Sequence, residues 1–353
     1  MFLFQVRLSP ALAVFFIWVV GGIIGALFRK RIIGVWYIME CIFIGAMVII
    51  SGGSIEEQER AIKYYVFQII GSLLMFLRFV VIFCGEFFSI GLAYWLFCWG
   101  VIMKLGLFPF HFWVTSVIGL CSWGRFFVIG WLQKIPALWI IIMFGVPFEY
   151  SGIFEVSVWI TVFIGALGGI GILQYRVLLA FSSLVQTGWF VIISLCRIVV
   201  ALFYLLIYGV TLRLVLFKIN VYNLFNYLDH CNFRDGSFCR WRSEVKKVGL
   251  FLDIASLSGF PPFLGRVSKF VGVLCLWKFY YVRAVVLVFC SLLTFFFYLR
   301  MIMNFMVSVG LGGGVLLKRG WSGFSEVGVF ELFSCLINVF GGLVLLVVFG
   351  FLS

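Results

Sequence analysis

Charged side chains are scarce in this 353-residue sequence: they make up 11% of it, whereas hydrophobic residues make up 65%. Soluble domains are nearer to a quarter charged and half apolar, so the composition excludes a soluble enzyme and indicates a polytopic membrane protein. Proline (6) and histidine (2) are also rare, while Phe (45), Gly (38) and Trp (13) are abundant. Codons of the rare residues need C, and most codons of the abundant ones are rich in G and T. Such a bias is typical of a strand-biased organelle genome.

Motifs of soluble catalysis are absent too. The sequence has no Walker loop, no G-x-G-x-x-G turn after a strand and no C-x-x-C pair. The ten cysteines are scattered through apolar segments, so we interpret them as small buried residues and predict no metal site. The net charge of +13 comes from 26 Lys and Arg against 13 acids. Without a long hydrophilic basic face, this balance indicates helix ends that face lipid headgroups and excludes a nucleic-acid partner.

The long apolar runs predict an all-α fold. One membrane span needs ~20 residues, so the chain has room for about eleven transmembrane helices in a single domain over residues 1–353. The only extended hydrophilic segment, residues 220–247, is predicted to be a solvated connection. The predicted spans are 10–28, 32–50, 61–84, 87–114, 125–146, 154–173, 177–195, 198–219, 248–282, 284–306 and 327–352.

Proline and glycine interrupt two of these runs. Residues 103–113 read Met-Lys-Leu-Gly-Leu-Phe-Pro-Phe-His-Phe-Trp, in which Pro109 removes a backbone donor. Residues 258–265 hold Pro261 and Pro262 in a similar Gly-Phe-Pro-Pro-Phe motif. Paired interrupted segments in two halves are typical of transporters with inverted repeats, whose working site lies at the breaks. We therefore predict two broken helices and an antiporter-like inverted-repeat architecture.

Four ionisable residues lie inside predicted spans: Glu40, Lys104, Lys134 and Lys269. Burial disfavours the charged form of each group, and an opposite charge nearby favours it. A lysine–glutamate pair that forms and breaks would therefore take up and release protons without a metal or an organic cofactor. Lysine gives up its proton on burial far more readily than arginine does, which favours a proton relay over fixed ion pairing.

Further polar residues near these spans are candidates for holding water between the charges: His111, Ser182, Ser183 and Gln186. Simpler interpretations stay open. The first break can be a proline kink beside a snorkelling lysine, and the buried charges can be structural ion pairs between helices. Lys218, towards the end of the eighth span, is interpreted as a snorkelling helix-end residue.

Several stretches resemble the antiporter-like subunits of respiratory complex I, and among them the subunit 2 family of animal mitochondrial NADH dehydrogenase. They occur in that family's order and cover most of the chain from Val35 to Arg300. In the family a glutamate pairs with a lysine on the first broken helix, a central lysine follows, and an outlet lysine lies on the second. The resemblance assigns these roles to Glu40, Lys104, Lys134 and Lys269. The matching stretches are residues 36–40, 59–72, 104–113, 131–136, 175–189, 257–269 and 297–300.

The resemblance implies a non-redox core subunit that translocates protons, coupled to electron transfer from NADH to ubiquinone. It implies that this chain binds no cofactor, since the NADH, FMN, iron–sulfur and ubiquinone chemistry belongs to other subunits. The implied partners are other complex I membrane subunits, including subunits 4 and 4L, and lipids such as cardiolipin in the mitochondrial inner membrane. Gln186 departs from the histidine usual in the family. A stand-alone cation/proton antiporter and a structural spacer that has lost pumping are the alternatives.

Overall fold

The computed structural model describes residues 10–52, 55–83, 90–119, 121–145, 148–221, 240–277, 280–310 and 334–345. Every element within these ranges is helical. A π-helix, Val128–Leu132, joins α6 to α7. The α-helices are α1 Pro10–Phe28, α2 Ile32–Ser51, α3 Ile55–Phe83, α4 Ile90–Leu105, α5 Phe112–Ile118, α6 Trp123–Phe127, α7 Lys134–Phe144, α8 Phe148–Gly168, α9 Tyr175–Cys196, α10 Ile198–Val221, α11 Arg240–Ser258, α12 Leu264–Trp277, α13 Tyr281–Gly310 and α14 Ser334–Leu345.

The predicted all-helical membrane class is confirmed. Within the described part of the chain, six helical segments are long and apolar enough to cross a membrane: Ile32–Ser51, Glu57–Phe83, Trp123–Met143, Tyr175–Cys196, Ile198–Val221 and Tyr281–Met303. Shorter apolar helices are Ala13–Phe28, Gly91–Leu105, Gly152–Gly168, Val248–Ser258 and Ser334–Leu345.

Helix boundaries differ from the prediction around the hydrophilic segment 220–247. α10 continues to Val221, and α11 already begins at Arg240. The residues from Arg240 to Lys247 include Arg, Glu and Lys, which are good helix formers, so the helix extends beyond its apolar part. The rest of the predicted loop, residues 222–239, lies outside the described residues. So do residues 327–333 and 346–352 of the last predicted span.

The helices form two compact units. The first comprises residues 1–168 and 176–201, and the second comprises residues 169–175 and 202–353. α9 belongs almost entirely to the first unit and is the most enclosed of the six long segments. In its most apolar stretch 89% is buried inside the protein, against 39% in that of α2. Polar side chains on α9 therefore face protein, where they can bind buried groups of neighbouring helices.

Within the first unit, α3 and α4 approach closely through two glycines. A Cβ atom on Gly100 would lie 2.8 Å from the carbonyl oxygen of Gly71. A Cβ atom on Gly71 would lie 2.9 Å from Cγ of Lys104. Small residues let membrane helices pack with their backbones in contact. The stem of the Lys104 side chain therefore lies directly against α3 at Gly71.

The proline motifs lie at helix ends that share one hydrogen-bond pattern. After α4, the N–H groups of Gly106 and Leu107 donate to carbonyls three and five residues earlier, at 3.2 and 3.0 Å. After α11, Gly259 and Phe260 do the same, at 3.0 Å each. This is the Schellman motif, in which a left-handed glycine ends the helix and a proline commonly follows. The φ angles of the two glycines are +69° and +87°.

The Schellman end after α4 predicts the effect of Gly106→Ala. The alanine would have to adopt the left-handed conformation, which costs about 1–2 kcal/mol, and its Cβ would lie 2.2 Å from Cγ2 of Val114. We expect a clear loss of thermal stability of the purified chain in detergent. Gly21→Ala in α1 is the control, because a Cβ there meets nothing within 4 Å. Equal stability of the two variants would contradict this account of the break.

Candidate functional site

The predicted carboxylate and the first predicted lysine form an ion pair. Lys104, in the last turn of α4, donates from Nζ to Oε1 of Glu40 in the middle of α2, at 2.6 Å. The Lys104 side chain is 3% exposed and that of Glu40 is 20% exposed. An enclosed cation needs a charged, hydrogen-bonded partner to offset its loss of water. The pair explains how a lysine is tolerated in an apolar helix.

Side chains also bind main-chain carbonyls at the end of α4. Gln68 in α3 donates from Nε2 to the carbonyl oxygen of Lys104, at 3.3 Å. Trp113 in α5 donates from Nε1 to the carbonyl oxygen of Met103, at 3.1 Å. Gln68 thus supplies a donor to the carbonyl of Lys104, and Trp113 supplies a second donor to that of Met103, which also accepts from the N–H of Gly106. The two side-chain bonds help to fix the helix end. The position of Lys104 against Glu40 is fixed with it.

The segment between α4 and α5 is supported from α8. The N–H of Phe108, just before Pro109, donates to Oγ1 of Thr161 at 2.6 Å. His111 is partly buried, and its ring lies 6.0 Å from that of Phe108 in a stacked arrangement. Thr161 thus satisfies an amide that the interrupted helix leaves without a helical partner.

The π-helix directly precedes Lys134. The N–H of Gln133 donates to the carbonyl oxygen of Val128, five residues earlier, at 3.0 Å. Pro136 follows in α7 and removes one N–H from the helical segment Trp123–Met143. π-Helical turns are rare and are often found at functional sites. This turn sets the direction in which Lys134 leaves the helix, and no sequence signal predicted it.

Lys134 is buried and binds neutral oxygens of α9. Its Nζ donates to the carbonyl oxygen of Ser183 at 3.0 Å and to Oγ1 of Thr187 at 2.8 Å. Both acceptors are uncharged and fixed within a buried helix. They stabilise an ammonium without fixing the charge as firmly as a carboxylate would.

The predicted polar residues of α9 are buried, and the structure shows hydrogen bonds for its two serines. The hydroxyls of Ser182 and Ser183 donate to main-chain carbonyls three residues earlier in the same helix. Ser183 therefore binds Lys134 through its carbonyl oxygen. Gln186, three residues later in α9, is also buried. Sequence reasoning missed Thr187. Its position one turn after Ser183 places both on one face of α9, a signal that could have identified it.

In the second unit, Lys269 binds the end of α11. Its Nζ donates to the carbonyl oxygen of Ser258, the last residue of that helix, at 2.8 Å. Gly259 lies directly against it, since a Cβ there would lie 3.2 Å from Nζ. The free carbonyls of a helix C-terminus favour a cation. Lys269 and the second proline motif thus form one local structure.

Pro261 and Pro262 follow this glycine between α11 and α12. Pro261 is exposed and Pro262 is partly buried. α14 lies against the motif, since a Cβ on Gly342 would lie 2.2 Å from the carbonyl oxygen of Pro262. The backbone of the second motif is therefore enclosed by protein on the side of α14.

The interpretation of Lys218 as a snorkelling residue is wrong. Its side chain is 2% exposed, and Nζ lies 2.7 Å from Oδ2 of Asp253, which is fully buried. α10 runs on to Val221, so Lys218 lies inside a packed helix rather than at a free end. Sequence reasoning did not single out Asp253. The signal was present, because it is an acid within the apolar run 248–258, as Glu40 is within its own run.

A second ion pair missed by sequence reasoning orients α6. Arg125 pairs with Glu57 at the start of α3 and donates from Nε to the carbonyl oxygen of Ile49 in α2, at 2.8 Å. The N–H of Ser122 also donates to Glu57, at 3.3 Å. These bonds fix the start of the helical segment that carries Lys134.

The Glu40–Lys104 geometry predicts an asymmetric double-mutant cycle. Glu40→Gln leaves the enclosed Lys104 without its carboxylate and should lower the free energy of unfolding by about 3 kcal/mol. Lys104→Met should cost less, because Glu40 is partly exposed. The double variant should cost less than the sum of the two. Unfolding in mixed micelles measures all three, with the exposed Glu59→Gln as a control that should change nothing. Additive losses would show that the pair is not coupled.

Known proteins match the chain over most of its length. The family model of the NADH:quinone oxidoreductase/Mrp antiporter transmembrane family matches residues 30–294. NADH-ubiquinone oxidoreductase chain 2 of Anopheles gambiae is 25% identical over 297 residues, which cover 82% of this chain and 84% of that protein. The protein of the same name from Branchiostoma lanceolatum is 30% identical over 260 residues, covering 69% and 70%.

Solved structures share the fold. A chain of respiratory complex I from Thermus thermophilus with bound aureothin superposes with a TM-score of 0.74 at 16% identity, covering 96% of this chain and 78% of that chain. A chain of the membrane-bound sulfane sulfur reductase, an archaeal respiratory membrane complex, gives 0.77 at 16% identity, covering 96% and 74%. The matched region 30–294 contains both proline motifs and Glu40, Lys104, Lys134 and Lys269. The chain therefore belongs to the NADH:quinone oxidoreductase/Mrp antiporter transmembrane family.

Proposed function

We propose that this chain is a core membrane subunit of respiratory NADH:ubiquinone oxidoreductase, of the subunit 2 type, and that it translocates protons. The observation that carries the proposal is the buried Glu40–Lys104 ion pair beside a proline motif in a chain of this family. The curated relatives are chains of NADH-ubiquinone oxidoreductase. Their names favour this assignment over a stand-alone cation/proton antiporter.

In the proposed mechanism, the Glu40–Lys104 pair is the first proton-exchanging step. While the pair is closed, each charge stabilises the other. When Lys104 moves away from Glu40, both groups lie in enclosed surroundings that disfavour charge. Glu40 then takes up a proton, and Lys104 releases one. Because Lys104 lies beside Gly106 and Pro109, a small change at the end of α4 is enough to alter its distance from Glu40.

Lys134 is the proposed central carrier. The neutral oxygens of Ser183 and Thr187 accept hydrogen bonds from an ammonium. The Thr187 hydroxyl, which donates to the carbonyl oxygen of Ser183, can turn to donate to a Lys134 amine instead. Both protonation states are therefore accommodated at the same place. We assign His111, Ser182, Ser183 and Gln186 to the positioning of water between the charged groups.

Lys269 is the proposed outlet in the second unit. The carbonyl oxygen of Ser258 accepts a hydrogen bond from its ammonium. Pro261 and Pro262 prevent α11 from continuing into α12 as one helix. We propose that α4–α5 and α11–α12 are the two broken membrane helices. The six long and five shorter apolar helices support a count of eleven spans.

The assembly around the chain belongs to the same proposal. We propose that it lies in the mitochondrial inner membrane beside other complex I membrane subunits, including subunits 4 and 4L, with lipids such as cardiolipin at its surface. The chain itself binds no cofactor in this proposal. NADH oxidation through FMN and iron–sulfur centres and ubiquinone reduction take place in other subunits.

Replacing Lys134 with methionine tests the function. Lys134→Met fills the same space without a group that carries a proton, so the assembled complex should lose proton translocation by about tenfold or more. Coupled NADH oxidation should fall with it. Proton uptake by reconstituted vesicles and the amount of assembled complex are measured together. Lys63→Met, at an exposed lysine of α3, is the matched control and should behave as the unmodified protein does. Normal translocation in assembled Lys134→Met would reject the proposed function.

A further inference from the structure

The second unit contains a buried ion pair that the proposed mechanism does not use. Nζ of Lys218 in α10 lies 2.7 Å from Oδ2 of Asp253 in α11, and both side chains are almost fully enclosed. The pair is more deeply buried than Glu40–Lys104, in which the carboxylate remains 20% exposed. It has the same chemistry, an amine and a carboxylate in direct contact.

Two side chains of α14 complete the cluster. Lys218 donates from Nζ to Oγ of Ser334 at 2.7 Å, and Asn338 donates from Nδ2 to Oδ1 of Asp253 at 2.5 Å. Both residues are fully buried. Polar groups from three helices thus surround one possible proton-transfer contact, Lys218 Nζ to Asp253 Oδ2.

The cluster is suited to two protonation states. With the proton on Lys218, the ammonium forms an ion pair with the Asp253 carboxylate and donates to Oγ of Ser334. With the proton on Asp253, the carboxylic acid donates to the Lys218 amine, and the Ser334 hydroxyl can turn to donate as well. Asn338 donates to Asp253 in both states. The hydrogen bonds from Lys218 to Ser334 and from Asn338 to Asp253 therefore join groups that can stay in contact when the proton moves.

Stability alone is a weak reason for such a pair. Removing two charges from water costs several kcal/mol per ion in real proteins, and well-packed apolar residues of similar size are often as stable or more stable. Ionisable groups inside membrane helices commonly belong to ion or proton pathways.

The pair is also connected to the second proline motif through α11. Asp253 lies in the same helix as Ser258, whose carbonyl oxygen holds the Lys269 ammonium. Ser256 donates from Oγ to the carbonyl oxygen of Asp253 at 2.8 Å. A movement of this helix end would change the distance between Asp253 and Lys218.

We propose that Lys218 and Asp253 form an additional proton-exchanging pair of the second unit, acting in series with Lys269. This inference rests on the proposed function of the chain as a proton-translocating subunit. In the step itself one proton passes from the Lys218 ammonium to the Asp253 carboxylate, leaving an amine and a carboxylic acid with no change in total charge. Asp253 then gives the proton to a water molecule, and Lys218 takes one from a water molecule on its own side.

The test uses two variants of the assembled complex that keep the site free of an unpaired charge. Lys218→Met with Asp253→Asn removes both charges together and keeps an acceptor for Asn338. Lys218→Arg keeps the ion pair, but arginine does not give up its proton in proteins. Both should assemble in near-normal amount and translocate protons about tenfold more slowly. Assembled complex, proton uptake by vesicles and NADH oxidation are measured together.

Normal proton translocation by either assembled variant would overturn the proposal. Failure of both variants to assemble would assign the pair to folding and would overturn it too. Lys134→Met, measured in the same preparation, separates this inference from the function on which it rests. If Lys134→Met is impaired and the Lys218 variants are normal, only the additional pair is rejected. If all are normal, the proposed function fails and this inference falls with it.

Discussion

An ammonium group enclosed by membrane helices must find oxygen acceptors within the protein, and this constraint connects most of the local structure. Lys104 binds the Glu40 carboxylate, Lys134 binds oxygens of α9, and Lys269 binds the carbonyl at the end of α11. Lys218 binds Asp253 and Ser334. Desolvation makes any unpartnered cation costly at these places. Each buried lysine therefore requires the helices around it to supply an oxygen acceptor.

The interruptions in the helices help to meet that requirement. A Schellman end leaves carbonyls near Lys104 and beside Lys269, and the π-helix precedes Lys134. Contacts at glycines bring α3 against Lys104 and place Gly259 against Lys269. An uninterrupted helix would keep these carbonyls in its own hydrogen bonds. The second proline motif thus supplies the oxygen acceptor of Lys269, whereas Lys104 finds its acceptor in a side chain and Lys134 finds its acceptors on α9.

The sequence predicted those features of the structure that depend on the local pattern of residues. Apolar runs predicted helices, and glycine before proline predicted where α4 and α11 end. The rare charges within the runs predicted a partner for Glu40, and the structure places Lys104 there. The role of Thr187 was not predicted, because it depends on how α7 packs against α9. The π-helix was not predicted either, because no residue pattern in its segment indicated it. Lys218 was misjudged because its partner lies on another helix, and position within a span does not show which helices meet.

The most direct test of the account is the protonation state of Glu40 during turnover. Infrared difference spectra of the assembled complex oxidising NADH can be compared for the unmodified chain and for Glu40→Gln. If the Glu40–Lys104 pair opens and exchanges protons, a carboxylic acid C=O band should appear during turnover and be missing in the Glu40→Gln variant. A difference spectrum that shows no carboxylic acid band removed by Glu40→Gln, in a complex that still pumps, would mean that Glu40 stays ionised and that the pair only holds helices together.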